Sequence, residues 1–261
     1  MTDLRRERVI VDGIPVDPLT VAELHAYILE TIRLSRRARV LNVNAHGLNL
    51  AADDAAYANT LRRAEIVFCD GTGVRLGAWI LGKHLPQRIT YADWMWELGQ
   101  FTREQSLGMY FLGAAPNIAE RAAARMRERI PGIRIVGAEH GYFSKERGSA
   151  DSQEVVTRIN ASGAHILVTG FGMPVQERWI DEHWESLRVN IALSGGAVFD
   201  YLSGDLQRAP KVFRYLGMEW LGRLIIEPRR LFRRYVLGNP RFISRVVRSR
   251  LSEMIRKSRS L

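Results

Sequence analysis

Short runs of aliphatic and β-branched residues alternate with amphipathic helical segments along most of this chain, and that alternation leaves few folds open. The runs fall at residues 40–43, 66–69, 109–112, 133–136, 166–169 and 189–193, while 45–62, 117–129, 152–162 and 175–185 carry the helical pattern between them. Strands joined by helices pair in parallel, because a helical crossover returns the chain to the same end of the sheet. The pattern predicts an α/β fold: a Rossmann-like, mostly parallel sheet with helices on both faces. Ahead of it, Val9, Val11, Ile14 and Val16 alternate around Asp12-Gly13, the signature of an N-terminal β-hairpin with a two-residue turn.

Charge divides the chain. Residues 205–261 hold 15 Lys/Arg against 4 Asp/Glu, whereas residues 1–204 hold 23 against 24. The reading is an α/β core over 1–204 followed by a basic amphipathic C-terminal helical appendage over 205–261. Leu221, Leu224, Ile225, Phe232, Tyr235, Phe242, Ile243, Val246, Val247 and Leu251 are interleaved with the arginines of that tail. A segment of this kind suits an interfacial helix on an anionic membrane surface. No run reaches the roughly 18 to 20 apolar residues that a bilayer span needs. No apolar h-region follows the charged stretch from Met1 to Arg8, so no signal peptide is expected. The single cysteine, Cys69, can form no internal disulfide, and no Cys/His spacing suggests a zinc site. These features together predict a cytoplasmic protein that lies peripherally on the inner face of the cell membrane.

Ligands of parallel sheets bind beyond the carboxyl ends of the strands. The loops expected there are Asn42-Val43-Asn44-Ala45-His46, Asp70-Gly71-Thr72-Gly73, Gly113-Ala114-Ala115-Pro116, Gly170-Phe171-Gly172-Met173-Pro174 and Ser194-Gly195-Gly196-Ala197. Glycine-rich turns that enter a helix offer backbone N–H groups and a helix dipole to a phosphate. Gly71, Gly73 and Gly77 only loosely approximate a dinucleotide fingerprint, and no ribose-binding acid follows a second strand. An Asp-x-Asp metal motif is absent, since Asp53 and Asp54 are adjacent within a helical stretch.

Taken in order, several short stretches resemble the WecG/TagA/CpsF family of glycosyltransferases. They are Asn42-Val43-Asn44, Cys69-Asp70-Gly71-Thr72-Gly73, Arg88-Ile89-Thr90-Tyr91-Ala92-Asp93, Gly141-Tyr142-Phe143 and Gly172-Met173-Pro174-Val175-Gln176-Glu177. Arg208-Ala209-Pro210, Gly217-Met218-Glu219-Trp220-Leu221 and Glu227-Pro228-Arg229-Arg230-Leu231 continue the series, so that the resemblance spans roughly residues 9–240. It implies transfer of a sugar, with inversion, from a UDP-sugar donor to a polyprenyl-diphosphate-linked glycan acceptor in bacterial surface-polymer synthesis. By the same resemblance Asp70 matches the catalytic base, and Asn44, Arg88 and Gln176 match positions tied to substrate or activity. Gly172 and Asn42 are placed among the substrate contacts. Asn42 stands where many members have Thr and Tyr91 where many have Gly, which bears on the choice of sugar.

The chemistry suits these residue types. An inverting transfer needs a base for the acceptor hydroxyl, and the UDP leaving group needs positive charge. With no metal motif, arginine is left with that task, and no metal or cofactor is expected. Arg223, Arg230 and Arg233 share one face at i, i+7, i+10 if a single helix continues through the tail, with Pro228 a candidate kink. Guanidinium groups match paired phosphate oxygens.

Each residue also has an ordinary reading. Asp70 before glycine suits a helix cap, the Asn42 and Asn44 amides suit strand-end backbone groups, and Gln176 suits the first turn of a helix starting near Pro174. Arg88 could pair with Asp93, and His46 is as well explained by structure as by ligand binding. Cys69, Trp94 and Trp96 read as packing residues. Two other classes compete: a nucleic-acid-binding α/β protein, which the neutral body and lack of a motif disfavour, and a nucleotide-cofactor oxidoreductase, which rests on the loose glycine pattern alone. The sugar, the acceptor glycan and the oligomeric state stay open, and a homo-oligomer is compatible with the sequence.

Overall fold

A computed structural model of the chain describes residues 7–208, 213 and 219–259. Of the sequence stretches singled out above, residues 1–6, Ala209, Pro210, Gly217 and Met218, and the side chains of Glu219 and Arg230, lie outside what is described.

The chain opens with a hairpin of β1 (Val9–Val11) and β2 (Ile14–Val16), in which Val9 faces Val16 and Val11 faces Ile14. Its two turn residues both have positive φ, 51° at Asp12 and 78° at Gly13, which matches the turn twist to that of the strands. Asp17 then ties the hairpin to the main sheet: its N–H donates to Val67 O at 2.7 Å, and its carboxylate accepts the Val67 N–H, also at 2.7 Å.

Six strands form that sheet: β3 (Ala38–Val43), β4 (Ile66–Cys69), β5 (Gly108–Gly113), β6 (Arg134–Glu139), β7 (Ile166–Gly170) and β8 (Ile191–Ser194). Their order is β4-β3-β8-β7-β5-β6 and every pairing is parallel, as the alternating pattern predicts. Nine helices precede the tail among the described residues: α1 (Val21–Arg33), α2 (Ala45–Asp53), α3 (Ala55–Arg63), α4 (Thr72–Ile80), α5 (Tyr91–Glu104), α6 (Ile118–Arg129), α7 (Ala150–Ala161), α8 (Val175–His183) and α9 (Val198–Ser203). Successive strand residues point to opposite faces and so feed two separate cores. Leu41, Val43, Val67, Leu112 and Leu167 belong to one, together with the hairpin, while Val40, Ile66, Phe68, Phe111 and Val168 belong to the other.

The helical stretch at residues 45–62 is two helices, because Asp54 takes an extended conformation (φ −135°, ψ 98°) and caps α3 by accepting the Tyr57 N–H at 3.1 Å. In the tail, α10 (Glu219–Ile226) ends before Pro228, α11 (Pro228–Phe232) follows, a π-helical turn spans Arg233–Leu237, and α12 (Gly238–Arg259) closes the chain. One continuous helical face through Arg223 and Arg233 is therefore interrupted twice.

The terminal helix packs on the first core. Phe242 and Val246 are wholly buried beside hairpin residues Val11 and Ile14, and a Cβ at Gly77 would stand 2.7 Å from the Phe242 ring. Gly77 is thus a glycine of helix packing, where α4 and α12 approach too closely for a side chain. Arg241 holds Asp53 at 2.6 and 2.7 Å, and Asn49 Nδ2 donates to Gly238 O at 2.8 Å. Among the described residues no helix is long and apolar enough to cross a membrane.

Candidate active site

A cleft of about 980 Å³ opens where β3, β4, β7 and β8 end, and the tail from Trp220 to Ile243 forms its far wall. Strand ends place the polar groups on its floor. Asp70 follows β4 directly, and its N–H donates to Val43 O at 2.9 Å, which carries the β3–β4 pairing into the loop. Asn42, on β3, is 2% exposed and donates from Nδ2 to Asp70 Oδ2 at 3.0 Å. The Ile89 N–H donates to Cys69 O at 2.8 Å, which brings the neighbouring Arg88 to the cleft wall.

Asn44 is the N-cap of α2, where its Oδ1 accepts the N–H groups of His46 and Gly47, both at 3.1 Å, and it lines the cleft as well. Gly71, Thr72 and Gly73 line it at the start of α4, a helix with no side-chain cap. Its first N–H groups and dipole suit a phosphate. Gly172 also lines the cleft, with φ of 85°, a backbone conformation that glycine adopts without strain.

Gln176 lies in the first turn of α8, wholly buried behind that loop. Its Oε1 accepts the N–H of Gly172 at 3.1 Å and of Gly196 at 2.9 Å, stapling the loop after β7 to the loop after β8. Its Nε2 donates to Glu177 Oε1 at 2.7 Å. Burial pushes the Glu177 carboxyl up to about 7, against the hydrogen bonds that favour its charged form.

Of the residues read from the sequence as site residues, Asp70, Asn42, Asn44, Arg88, Gly172, Arg223 and Arg233 line this one cleft. Arg230 is on α11. Among the lining residues that the sequence reading did not take as site residues are Tyr201, Trp220, Arg234 and Tyr235. Arg234 adjoins Arg233 in the π-helical turn, and both line the cleft. Burial works against the charge on Arg223, yet Tyr235, Tyr201, Glu227 and Asp70 together hold its guanidinium above the ordinary value. Its guanidinium carbon lies 5.6 Å from the centre of the Tyr201 ring.

Neighbouring titratable groups are held out of acid–base work. His46 lines the cleft, but burial, aided by the charge of Arg234, lowers its imidazole to about 4. Burial drives the Cys69 thiol up to about 12, which removes it as a nucleophile near neutrality. Asp93 pairs with Arg208 at 2.9 Å. Among the described residues no group of three or more His, Cys, Asp or Glu converges to hold a metal ion. Among the described residues positive charge at the cleft comes from arginine, and the strand-end carboxylate on the floor is Asp70.

The sequence matches a family described as Glycosyl transferase WecG/TagA/CpsF family over residues 9–256. It is 29% identical over 198 residues, 76% of this chain and 74% of the relative, to the N-acetylglucosaminyldiphosphoundecaprenol N-acetyl-beta-D-mannosaminyltransferase of Bacillus spizizenii strain W23. With a match that spans nearly the whole chain and a cleft built from the strand-end loops that carry the resemblance, the protein belongs to the WecG/TagA/CpsF family of glycosyl transferases.

Proposed function

We propose that Asp70 is the general base of the sugar transfer, and that Arg88, Arg223, Arg233 and Arg234 neutralise the departing diphosphate. The reaction itself is the family's: an inverting transfer from a UDP-sugar to a polyprenyl-diphosphate-linked glycan in surface-polysaccharide synthesis. The observation that carries the assignment is the Asp70 carboxylate on the cleft floor, fixed by Asn42 and facing a wall that contributes arginines.

In this reading the acceptor hydroxyl attacks the anomeric carbon from the side opposite UDP. Its proton passes to Asp70 as the new C–O bond forms, the bond from the sugar to the diphosphate breaks, and UDP leaves with the electron pair. Charge grows on the leaving diphosphate in the transition state, so preformed guanidinium groups there lower the barrier rather than only tightening binding.

The acceptor's lipid places the reaction at a membrane surface. Ile225, Phe232, Leu251 and Ile255 of the tail are 65%, 52%, 53% and 55% exposed and are interleaved with arginines, which supports docking on anionic lipid at the cytoplasmic face. The Bacillus relative's name points to N-acetylmannosamine as the first sugar to assay and to N-acetylglucosaminyl-diphospho-undecaprenol as the first acceptor. A screen of UDP-sugars with a synthetic lipid-diphosphate acceptor, read by product mass, tests the assignment. Product with one UDP-sugar supports it, and no product with any UDP-sugar would overturn it.

A further inference from the structure

Asn42 presents its N–H edge to Asp70, and this amide orientation is fixed by a donor to its oxygen on the other side. That donor is Ser194, at the end of β8. Its Oγ–H donates to Asn42 Oδ1 at 3.0 Å, and the same Oγ accepts the Asn42 backbone N–H at 3.3 Å. Ser194 is fully buried, 152 residues along the chain from Asn42, and lies outside the cleft lining. Without its hydroxyl, either amide orientation of Asn42 would leave a buried group unpaired or turn the amide oxygen toward the Asp70 carboxylate.

The single Ser194 proton is thus committed to Asn42. The two bonds run in one direction, Ser194 to Asn42 and Asn42 to Asp70, toward the base.

We propose that Ser194 is a positioning residue for the transfer, acting through the Asn42 amide to aim and hold the Asp70 carboxylate. The inference rests on the reading of Asp70 as the base. It adds a residue that never touches substrate and that contributes to turnover through orientation alone.

The test compares the full-length wild-type enzyme with Ser194→Ala, Ser194→Thr and Asp70→Asn for kcat, KM, UDP affinity and the pH profile of kcat, with thermal melting to confirm folding. Ser194→Ala is expected to lose roughly tenfold to a hundredfold in kcat, the scale of a misplaced catalytic group. KM and UDP affinity should stay within about twofold, since the residue touches no ligand. The acid limb of the kcat profile should move to higher pH, because the base has lost a donor to its charged form. Ser194→Thr restores the hydroxyl and should recover most of the loss. A folded Ser194→Ala enzyme with wild-type kcat and an unmoved acid limb would overturn the proposal, as would equal loss in the Ala and Thr variants. Should Ser194→Ala fail to fold, Ser194→Thr decides alone: near-wild-type kcat with the wild-type acid limb supports the proposal, and a folded but slow enzyme overturns it. An active Asp70→Asn enzyme would instead remove the reading of the base, so the two failures are distinguishable.

Discussion

Arg245 of the terminal helix forks onto the Asp12 carboxylate in the hairpin turn at 2.7 and 2.9 Å, so the end of the chain is fastened to its beginning. Both side chains are largely covered, 21% and 13% exposed, and Phe242 and Val246 anchor the same helix from beneath. Arg245→Ala is expected to destabilise by about 1 to 3 kcal/mol, the usual scale for a charged hydrogen-bonded group that leaves its partner behind. Phe242→Ala should cost about 3 to 5 kcal/mol through lost burial and a cavity. Urea midpoints of the two variants check both values, and their order matters most: Phe242 is expected to outweigh Arg245.

Glu177 makes stability depend on pH in a definite direction. Its carboxyl rises from 4.5 to about 7 on burial, so the folded chain binds a proton that the unfolded chain has released. The stability it confers is complete below 4.5 and is lost as pH rises through about 7. Glu177→Gln lacks this titration. Denaturation curves from pH 5 to 8 should show the wild type losing stability relative to Glu177→Gln as pH rises, and a constant difference would show that the carboxyl is not held protonated.

The parallel sheet and the hairpin were legible because two-residue and helical periodicities survive in a single sequence. Asp54 shows where that signal fails: the 45–62 stretch keeps its helical pattern across the break, and only the extended backbone at Asp54 reveals the second helix's cap. The loops that build the cleft were found from their glycines and polar residues, but Gln176 shows the limit of motif reading. Its amide oxygen is spent on two backbone N–H groups rather than directed into the cleft. Ser194 and Glu177 fell within stretches singled out in the sequence but were not read as site residues, since a serine at a strand end and an acid in a first helical turn are both common. Arg234 was missed because the i, i+7, i+10 spacing from Arg223 selected only Arg230 and Arg233 on one face of a single helix, a helix that the tail does not form.

Tail arginines at the cleft should affect chemistry separately from attachment. Arg223→Met is expected to lower kcat by about a hundredfold, comparable to removal of one preorganised transition-state donor. Arg223→Lys should recover only part, because a point charge cannot fork onto paired phosphate oxygens. Co-sedimentation with anionic vesicles should be nearly unchanged in both variants, since the exposed apolar and basic residues of α12 remain. Loss of vesicle binding in parallel with turnover would assign Arg223 to attachment instead.

With arginine supplying the charge at the diphosphate, turnover should persist in excess EDTA. Activity that vanishes with EDTA and returns with Mg²⁺ or Mn²⁺ would place a metal in the reaction.

The transfer rate of Asp70→Asn gives the most direct test, because the substitution keeps the shape of the side chain and removes its capacity to take a proton. Measured beside wild type with the same UDP-sugar and lipid-diphosphate acceptor, the folded variant should turn over about 10² to 10⁴ times more slowly. UDP affinity, measured calorimetrically, should be retained. Near-wild-type turnover by folded Asp70→Asn would contradict the assignment of the base, and with it the account of how this cleft moves a sugar.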